Sequence, residues 1–387
     1  MKILAIDTSC DETSVAVSLD DKLQANIISS QVEFHKEWGG VVPIIAKRNH
    51  NEKIEFVIEK ALKQARYNIE DIDVFAVTYG PGLAVALEVG VNKAKQLASK
   101  FKRPLVAVDH MAGHIYANFT KNRNGKYYSG IRKIASNKTS EKDNSIFPLL
   151  ALLISGGHTE IIYMSKHLDF HKVGKTLDDS LGEAYDKIAN MLGWGYPGGP
   201  IIEQYAKKGD RDKYDFPVPM KNSKDLNFSY SGLKTAVLYQ IKEIGKKTKS
   251  KYAQEGKLHK SEPANGDPYS PTLSKKPIYK LTKEESLNVA ASFEKAATEE
   301  LKVKLKQAVD QYPVNKVLLG GGVVNNLYIR KELRRMLRRR NIRMHHPRNR
   351  KLLSDNAGMI TTTAYYMAKE KQFCNIEDLD RKPRLSL

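Results

Sequence analysis

The chain has 387 residues, and its 64 Lys and Arg outnumber 44 Asp and Glu to give a formal net charge of +20. That length predicts two packed lobes rather than one core, and a 41% apolar content suffices to fill them. The longest apolar run, Ile146 to Ile154, falls far short of the roughly 20 residues a bilayer span requires.

Other classes drop out as quickly. Asp7 interrupts the apolar start before any small-residue cleavage site, which argues against a secretory leader. The two cysteines, Cys10 and Cys374, make no C-x-x-C pair, so neither a disulfide framework nor a thiolate zinc site is expected. A cytoplasmic protein without membrane contact is the expectation. Excess positive charge gathers in Arg330 to Lys351 and again in Lys246 to Lys260, a pattern that suits a polyanionic partner.

Along the chain, Lys2–Asp7 and Ser14–Ser18 read as strands flanking the polar turn TSCDET, a hairpin written to grip an anion. Val74–Thr78 predicts a strand running through Gly80-Pro81-Gly82 into a helix over Leu83–Ala98. Pro104–Val108 predicts a further strand just before two histidines. The order then recurs: strand Pro148–Ile154, the turn Ser155-Gly156-Gly157-His158-Thr159, and strand Glu160–Tyr163. Val317–Leu319 leads into Gly320-Gly321-Gly322 and another helix. Thr282 and Glu285 form a capping box opening a helix to about Val309, read here as structural. Asn122–Ser145 and Lys246–Lys276 read as basic insertions, the second with little to bury. Two lobes, each offering a hairpin loop and glycine turns to a shared cleft, predict the α/β actin-like architecture. The expected lobes are 1–118, completed by 353–387, and 119–352.

The chemistry concentrates in a few places. His110 and His114 lie four apart, so on a helix both imidazoles face one side and could share an ion. Met111 and Ala112 occupy the place of a metalloprotease base, which removes that chemistry. Asp355, ahead of another helix, is either a third ligand or an N-cap. Two glycines in Ser155–Thr159 let backbone amides approach an anion, and Gly320–Gly322 offers a helix N-terminus. Asp179, Glu183 and Asp186 would share one helical stripe, with Asp178 or Asp179 as N-cap. That stripe is either a solvated acidic face or a holder of ribose hydroxyls, followed by the rigid turn Tyr196-Pro197-Gly198-Gly199-Pro200.

Taken in order, DTSCDETSVAV, HKEWGGVVPIIAKRNH, TYGPGLAVALEVG, DHMAGH, LLISGGHTE, DDSLGEAYDKIANMLG, YPGGP, FSYSGLKTAV, GGGVVNN and SDNAGMI resemble the motifs of the TsaD family along nearly the whole chain. The resemblance implies a transferase that moves a threonylcarbamoyl group from threonylcarbamoyl-AMP to N6 of adenosine 37 in tRNAs reading ANN codons. It implies one divalent metal ion per subunit, Fe2+ or Zn2+, on His110, His114 and Asp355. Ile154, Ser155, Gly156, Gly157 and His158 would follow the phosphates. Asp186, Gly199 and Asn326 would hold the adenylate, and Asp11 and Glu12 would stand at the reacting centre. Expected partners are tRNA, a paralogous dimerisation subunit and a small P-loop ATPase subunit.

The chain departs from the pattern at Asp7, where Glu is usual and reaches further, at Ile44 in place of Glu, and at Ser354 in place of Thr. Two rivals remain. A kinase or ATPase of the same fold would carry glycine-rich D-x-G-x-T turns, which are absent here. A non-catalytic scaffold of the same complex would lack the His110, His114 and Asp355 set.

Overall fold

The computed structural model describes residues 1–131, 146–254, 279 and 281–387. The insertion segments 132–145 and 255–276 lie outside the described residues. What precedes the latter, 246–254, is helical rather than irregular.

The first half is a five-stranded sheet. Strands β1 (Lys2–Asp7), β2 (Glu12–Leu19) and β3 (Lys22–Ser30) form an antiparallel meander. A short helix α1 (Val32–His35) and the long α2 (Pro43–Ala65) lead to β4 (Val74–Gly80). Helix α3 (Ala84–Phe101) then crosses to β5 (Leu105–Asp109). Both β4 and β5 add in parallel, giving the order β3-β2-β1-β4-β5.

Alternation along β1 sorts the core. Leu4 and Ile6 join α2 and α3 residues such as Val57, Ile58 and Val91 on one face. Ile3 and Ala5 meet Met359, Ile360 and Ala364 on the other. These last three belong to the final helix, α10 (Ala357–Lys369), so the chain returns to its first sheet at the end.

Helix α4 (His110–Tyr116) follows β5 directly and links the halves. The second sheet comprises β6 (Leu149–Ile154), β7 (Thr159–Met164), β8 (His171–Lys175), β9 (Lys316–Gly320) and β10 (Arg343–His345). Its order is β10-β9-β6-β7-β8, with β6-β7-β8 antiparallel and β9 and β10 parallel to β6. Substituting β6 for β1 and β9 for β4 reproduces the first sheet strand for strand. The topology repeats although the sequence does not.

Helices α5 (Leu181–Met191), α6 (Gly198–Ala206), α7 (Ser231–Gln254), α8 (Lys283–Gln311) and α9 (Leu327–Arg338) belong to the second half. Their apolar sides, including Ile188, Phe293 and Leu333, bury Leu150, Leu152 and Ile154 of β6. The opposite face of β6 takes Met111, Ile115 and Tyr116 from α4. Helix α4 is therefore wedged between the halves. At its end the contact is close: a Cβ on Gly320 would fall 2.6 Å from the His114 carbonyl oxygen. Asn118 Nδ2 also donates to Leu319 O at 3.1 Å.

Candidate active site

Asp109 ends β5 and caps α4, its Oδ1 accepting from Met111 N at 2.7 Å and Ala112 N at 3.0 Å. That cap places His110 and His114 one turn apart on the buried side of α4, with ring centroids 4.7 Å apart. Burial raises the Asp109 carboxyl to about 6 even though two N–H groups favour its charged form.

Asp355 arrives from the far end of the chain. Its Oδ1 lies 3.3 Å from His110 Nε2 and 3.3 Å from His114 Nε2. One ligand atom from each of the three falls within 4.8 Å of the others, and this is the single such cluster among the described residues. Ligands around a metal at bond lengths near 2.1 Å stand about 3.4 Å apart, so the spacing fits. The polar atoms agree: His114 Nε2 is buried and has no hydrogen-bond partner, as expected of a nitrogen shaped for an ion.

The cap of α10 is Asn356, not Asp355. Asn356 Oδ1 accepts from Met359 N at 3.1 Å, while Ser14 Oγ on β2 accepts from Ala357 N at 2.9 Å. The neighbour thus takes the helix role and leaves the Asp355 carboxylate for the histidines. Asp7, at the end of β1, points Oδ2 toward His110 Nδ1 at 3.6 Å, beyond hydrogen-bond length, and both atoms are left unpartnered.

Around this cluster gather more carboxylates. Asp11 comes from the β1–β2 turn and Glu12 from the first position of β2, and Asp11 Oδ2 is buried without a partner. Burial raises the Glu12 carboxyl well above its ordinary range, and the negative charges of Asp11, Asp355 and Asp7 add to this. No Lys or Arg pairs with Asp7, Asp11, Glu12 or Asp355 among the described residues. A polar site so rich in negative charge is suited to a cation.

Across the cleft stands the β6–β7 turn. Its ends are tied by Ser155 N to His158 O at 2.8 Å and His158 N to Ser155 Oγ at 3.1 Å. Burial, then the neighbouring His110 and His114, lowers His158 to about 4, so its imidazole is neutral at physiological pH. Gly156 and Gly157 face open space, where a side chain would fill the cleft. Ile154 is fully buried in the core, so only its backbone can serve a ligand.

The acidic stripe is corrected. Helix α5 begins at Leu181 with Ser180 as N-cap, because the Ser180 hydroxyl accepts from Glu183 N. Asp179 lies outside the helix and pairs with Lys187 and Lys234. Asp178 instead accepts from Tyr230 N and Ser231 N at the start of α7. Glu183 pairs with Lys187, while Asp186 lies within reach of the Asp11 charge. Asp186 accepts from Gly198 N at 2.6 Å, and burial raises it to about 6. Gly199, next in the chain, opens onto free space.

Asn326 caps α9 by accepting from Ile329 N at 3.0 Å and donates Nδ2 to Glu294 at 2.8 Å. Glu294, in the helix α8 read as structural, is fully buried and also pairs with Arg211. Glu203 of α6 accepts from Leu327 N at 3.1 Å, tying α6 to the start of α9. Sequence reasoning missed Glu294 and Glu203, since Asn326 and Leu327, the partners that bring them to the site, lie over 30 residues away. Glu203 had one local signal, standing four residues after Gly199 on α6.

The last residues close one flank. Lys382 N donates to Tyr79 O at 2.6 Å and Gly82 N to Pro383 O at 3.2 Å in the first half. Lys172 Nζ of β8 donates to Ser386 Oγ at 2.8 Å in the second.

A family model described as TsaD, tRNA N6-adenosine threonylcarbamoyltransferase, matches residues 22–132 and 129–362. The chain belongs to the TsaD family. A protein of that description from Thermosipho africanus is 38% identical over 387 residues, covering 100% of both chains. One from Staphylococcus aureus strain Newman is 39% identical over 375 residues, 97% of this chain and 94% of the other. Among solved structures, HypF from T. kodakarensis superposes with a TM-score of 0.57 at 13% identity. It covers 96% of this chain, which spans 48% of that one, and shows the fold alone. As a TsaD-family member the chain is a transferase acting in tRNA modification, on a two-lobed actin-like fold. No helix of the described residues is long and apolar enough to cross a membrane.

Proposed function

We propose that this chain transfers the threonylcarbamoyl group of threonylcarbamoyl-AMP to N6 of adenosine 37 in tRNAs reading ANN codons. The observation that carries this reading is the meeting of His110, His114 and Asp355 opposite the Ser155–His158 turn. Residues 1–118 with 353–387 form one lobe of the catalyst and 119–352 the other. The work takes place in the cytoplasm, alongside a paralogous dimerisation subunit and a small P-loop ATPase subunit.

The N6 amine is conjugated to the purine and is a poor nucleophile, so orientation matters most. Its lone pair forms a C–N bond to the carbamoyl carbon. The C–O bond to phosphate breaks, and AMP leaves with that electron pair. The N6 proton passes to a carboxylate, Asp11 or Glu12. Amides of Gly156 and Gly157 in the Ser155–His158 turn line the phosphate, and neutral His158 donates without competing for metal charge. Asp186, Gly199 and Asn326 hold the adenylate, with Glu203 beside them. A divalent ion on His110, His114 and Asp355, Fe2+ by family resemblance with Zn2+ the alternative, would act as Lewis acid on the acyl-phosphate oxygens.

The test supplies preformed threonylcarbamoyl-AMP, unmodified tRNA and the partner subunits, and measures modified adenosine by nucleoside mass spectrometry. Threonylcarbamoyladenosine is expected. Nucleotide binding with no product under any partner combination would replace this reading with the scaffold, and ATP hydrolysis coupled to another acceptor with the kinase.

A further inference from the structure

Helix α9 starts at Asn326, beside the adenylate residues, and the chain that follows it ends at Asp355 in the metal cluster. Between those two points the surface is cationic. Arg330 and Arg334 lie four apart on α9, hence on one face, and like charges so placed repel. Arg348 and Arg350 come from the segment after β10. His346 joins them, with Arg334 Nη2 3.4 Å from its Nε2.

These groups belong together electrostatically. Burial lowers the Arg330 guanidinium from its usual value, Arg334 and Arg350 lower it further, and the Glu203 charge opposes them. His346 is likewise lowered by burial and then by Arg330, Arg334 and Arg348. Among the described residues none of Arg330, Arg334, Arg348 and Arg350 has a carboxylate within ion-pair distance. Nearby Arg335 and Arg340, by contrast, pair with Glu332 and Asp310. Arg330 Nε is buried with no hydrogen-bond partner, although its Nη2 reaches Asn325 O at 3.4 Å. Arg334, Arg348 and Arg350 are exposed.

On α9 itself the single acid, Glu332, is taken by Arg335. Four arginines brought together from two segments with no ion-paired carboxylate, one holding a buried free donor, form a receptor for anionic oxygens. We infer that Arg330, Arg334, Arg348 and Arg350 dock the sugar-phosphate backbone of the tRNA, on the rim between the adenylate and metal residues. This rests on the transferase reading above. The three exposed arginines grip successive phosphates, while Arg330, tied to the Asn325–Asn326 turn, couples that grip to the nucleotide side.

The test uses the full chain and unmodified tRNA, with affinity measured across a salt series. Arg334→Glu/Arg350→Glu is compared with Lys63→Glu/Lys100→Glu, exposed positions on α2 and α3 that change net charge equally. The first variant is expected to lose tRNA affinity at least tenfold. Its log K against log salt slope should be shallower by about 2, close to one unit per phosphate contact. The control should match wild type, and AMP affinity by calorimetry should stay unchanged in both. Equal tRNA affinity and slope in wild type and Arg334→Glu/Arg350→Glu would overturn the docking site. So would a fall in AMP affinity with tRNA binding intact, which would give the cluster to the nucleotide phosphate. A wild type that binds tRNA at no salt concentration would instead sink the transferase reading beneath it.

Discussion

Asp355 and Asn356 are adjacent in the chain yet serve different structures. The Asp355 carboxylate lies 3.3 Å from Nε2 of both His110 and His114, while Asn356 caps α10 and accepts from Asn26 Nδ2 at 3.2 Å. Exchanging either residue therefore has a separable effect. Asn356→Ala is expected to lower stability by about 1–2 kcal/mol, from the lost cap and the lost link to β3. Asp355→Ala should abolish tight metal binding with far less effect on the melting of metal-free protein. Thermal melts in chelator, paired with metal analysis of the loaded protein, check both.

Gly198 and Gly199 offer a second separation. A Cβ on Gly198 would fall 2.5 Å from Tyr185 O and 2.6 Å from Asp186 Cα, contacts no real side chain makes, whereas one on Gly199 meets nothing within 4 Å. Gly198→Ala is expected to destabilise by about 1–3 kcal/mol, as overpacking does. Gly199→Ala should leave melting unchanged or slightly raised, since Ala favours helix by up to about 1 kcal/mol. Its cost should appear in AMP affinity, measured by calorimetry. An unaltered affinity would remove Gly199 from the ligand's path.

The Glu294 carboxylate is fully buried between Arg211 Nη2 and Asn326 Nδ2, and burial raises it in spite of both partners. Glu294→Ala should cost on the order of 3 kcal/mol, since its partners are stranded. Arg211→Ala should also destabilise, and the double substitution by less than the sum. Denaturant unfolding of the four proteins measures this coupling. Strict additivity would show that the pair does not act as a unit.

Glu300 predicts a pH dependence away from the metal. Desolvation raises its carboxyl from the ordinary 4.5 to about 8, against the N–H of Ser229 and the Lys304 charge, which pull it down. Between these values the folded protein holds a proton that the unfolded chain releases. The contribution of Glu300 to stability therefore falls as pH rises from about 4.5 to about 8 and levels off above. Glu300→Gln keeps an acceptor for Ser229 N and has no proton to lose. Its advantage over wild type should grow across that window to a few kcal/mol. Parallel unfolding curves from pH 5 to 8 would contradict the assignment.

What the sequence disclosed follows from what each residue had to satisfy locally. Strands β1, β6 and β9 are buried on both faces and stand out as apolar runs. Strands β3 and β8 went unread because they lie at sheet edges with many half-exposed positions, and KLQANIISS and HKVGK look like loops. The Thr282–Glu285 box was legible since both halves of a capping box sit within four residues. The start of α5 was misplaced because Asp178, Asp179 and Ser180 are all good caps; tertiary partners took the two acids, leaving Ser180. The histidine pair was visible in its spacing, but Asp355 could not be told from an N-cap until Asn356 was seen in that role. Glu294 and Glu203 were hidden because their meaning depends on Asn326 and Leu327, far along the chain.

The most direct test of the central claim joins metal to chemistry in one preparation. Transfer from threonylcarbamoyl-AMP to unmodified tRNA is measured for wild type as purified, after chelation and after restoring Fe2+ or Zn2+, beside His110→Ala/His114→Ala. The account predicts that activity is lost on chelation and returns with the ion in wild type, and that the folded double variant binds no metal and transfers nothing. Full transfer by the demetallated double variant would contradict it.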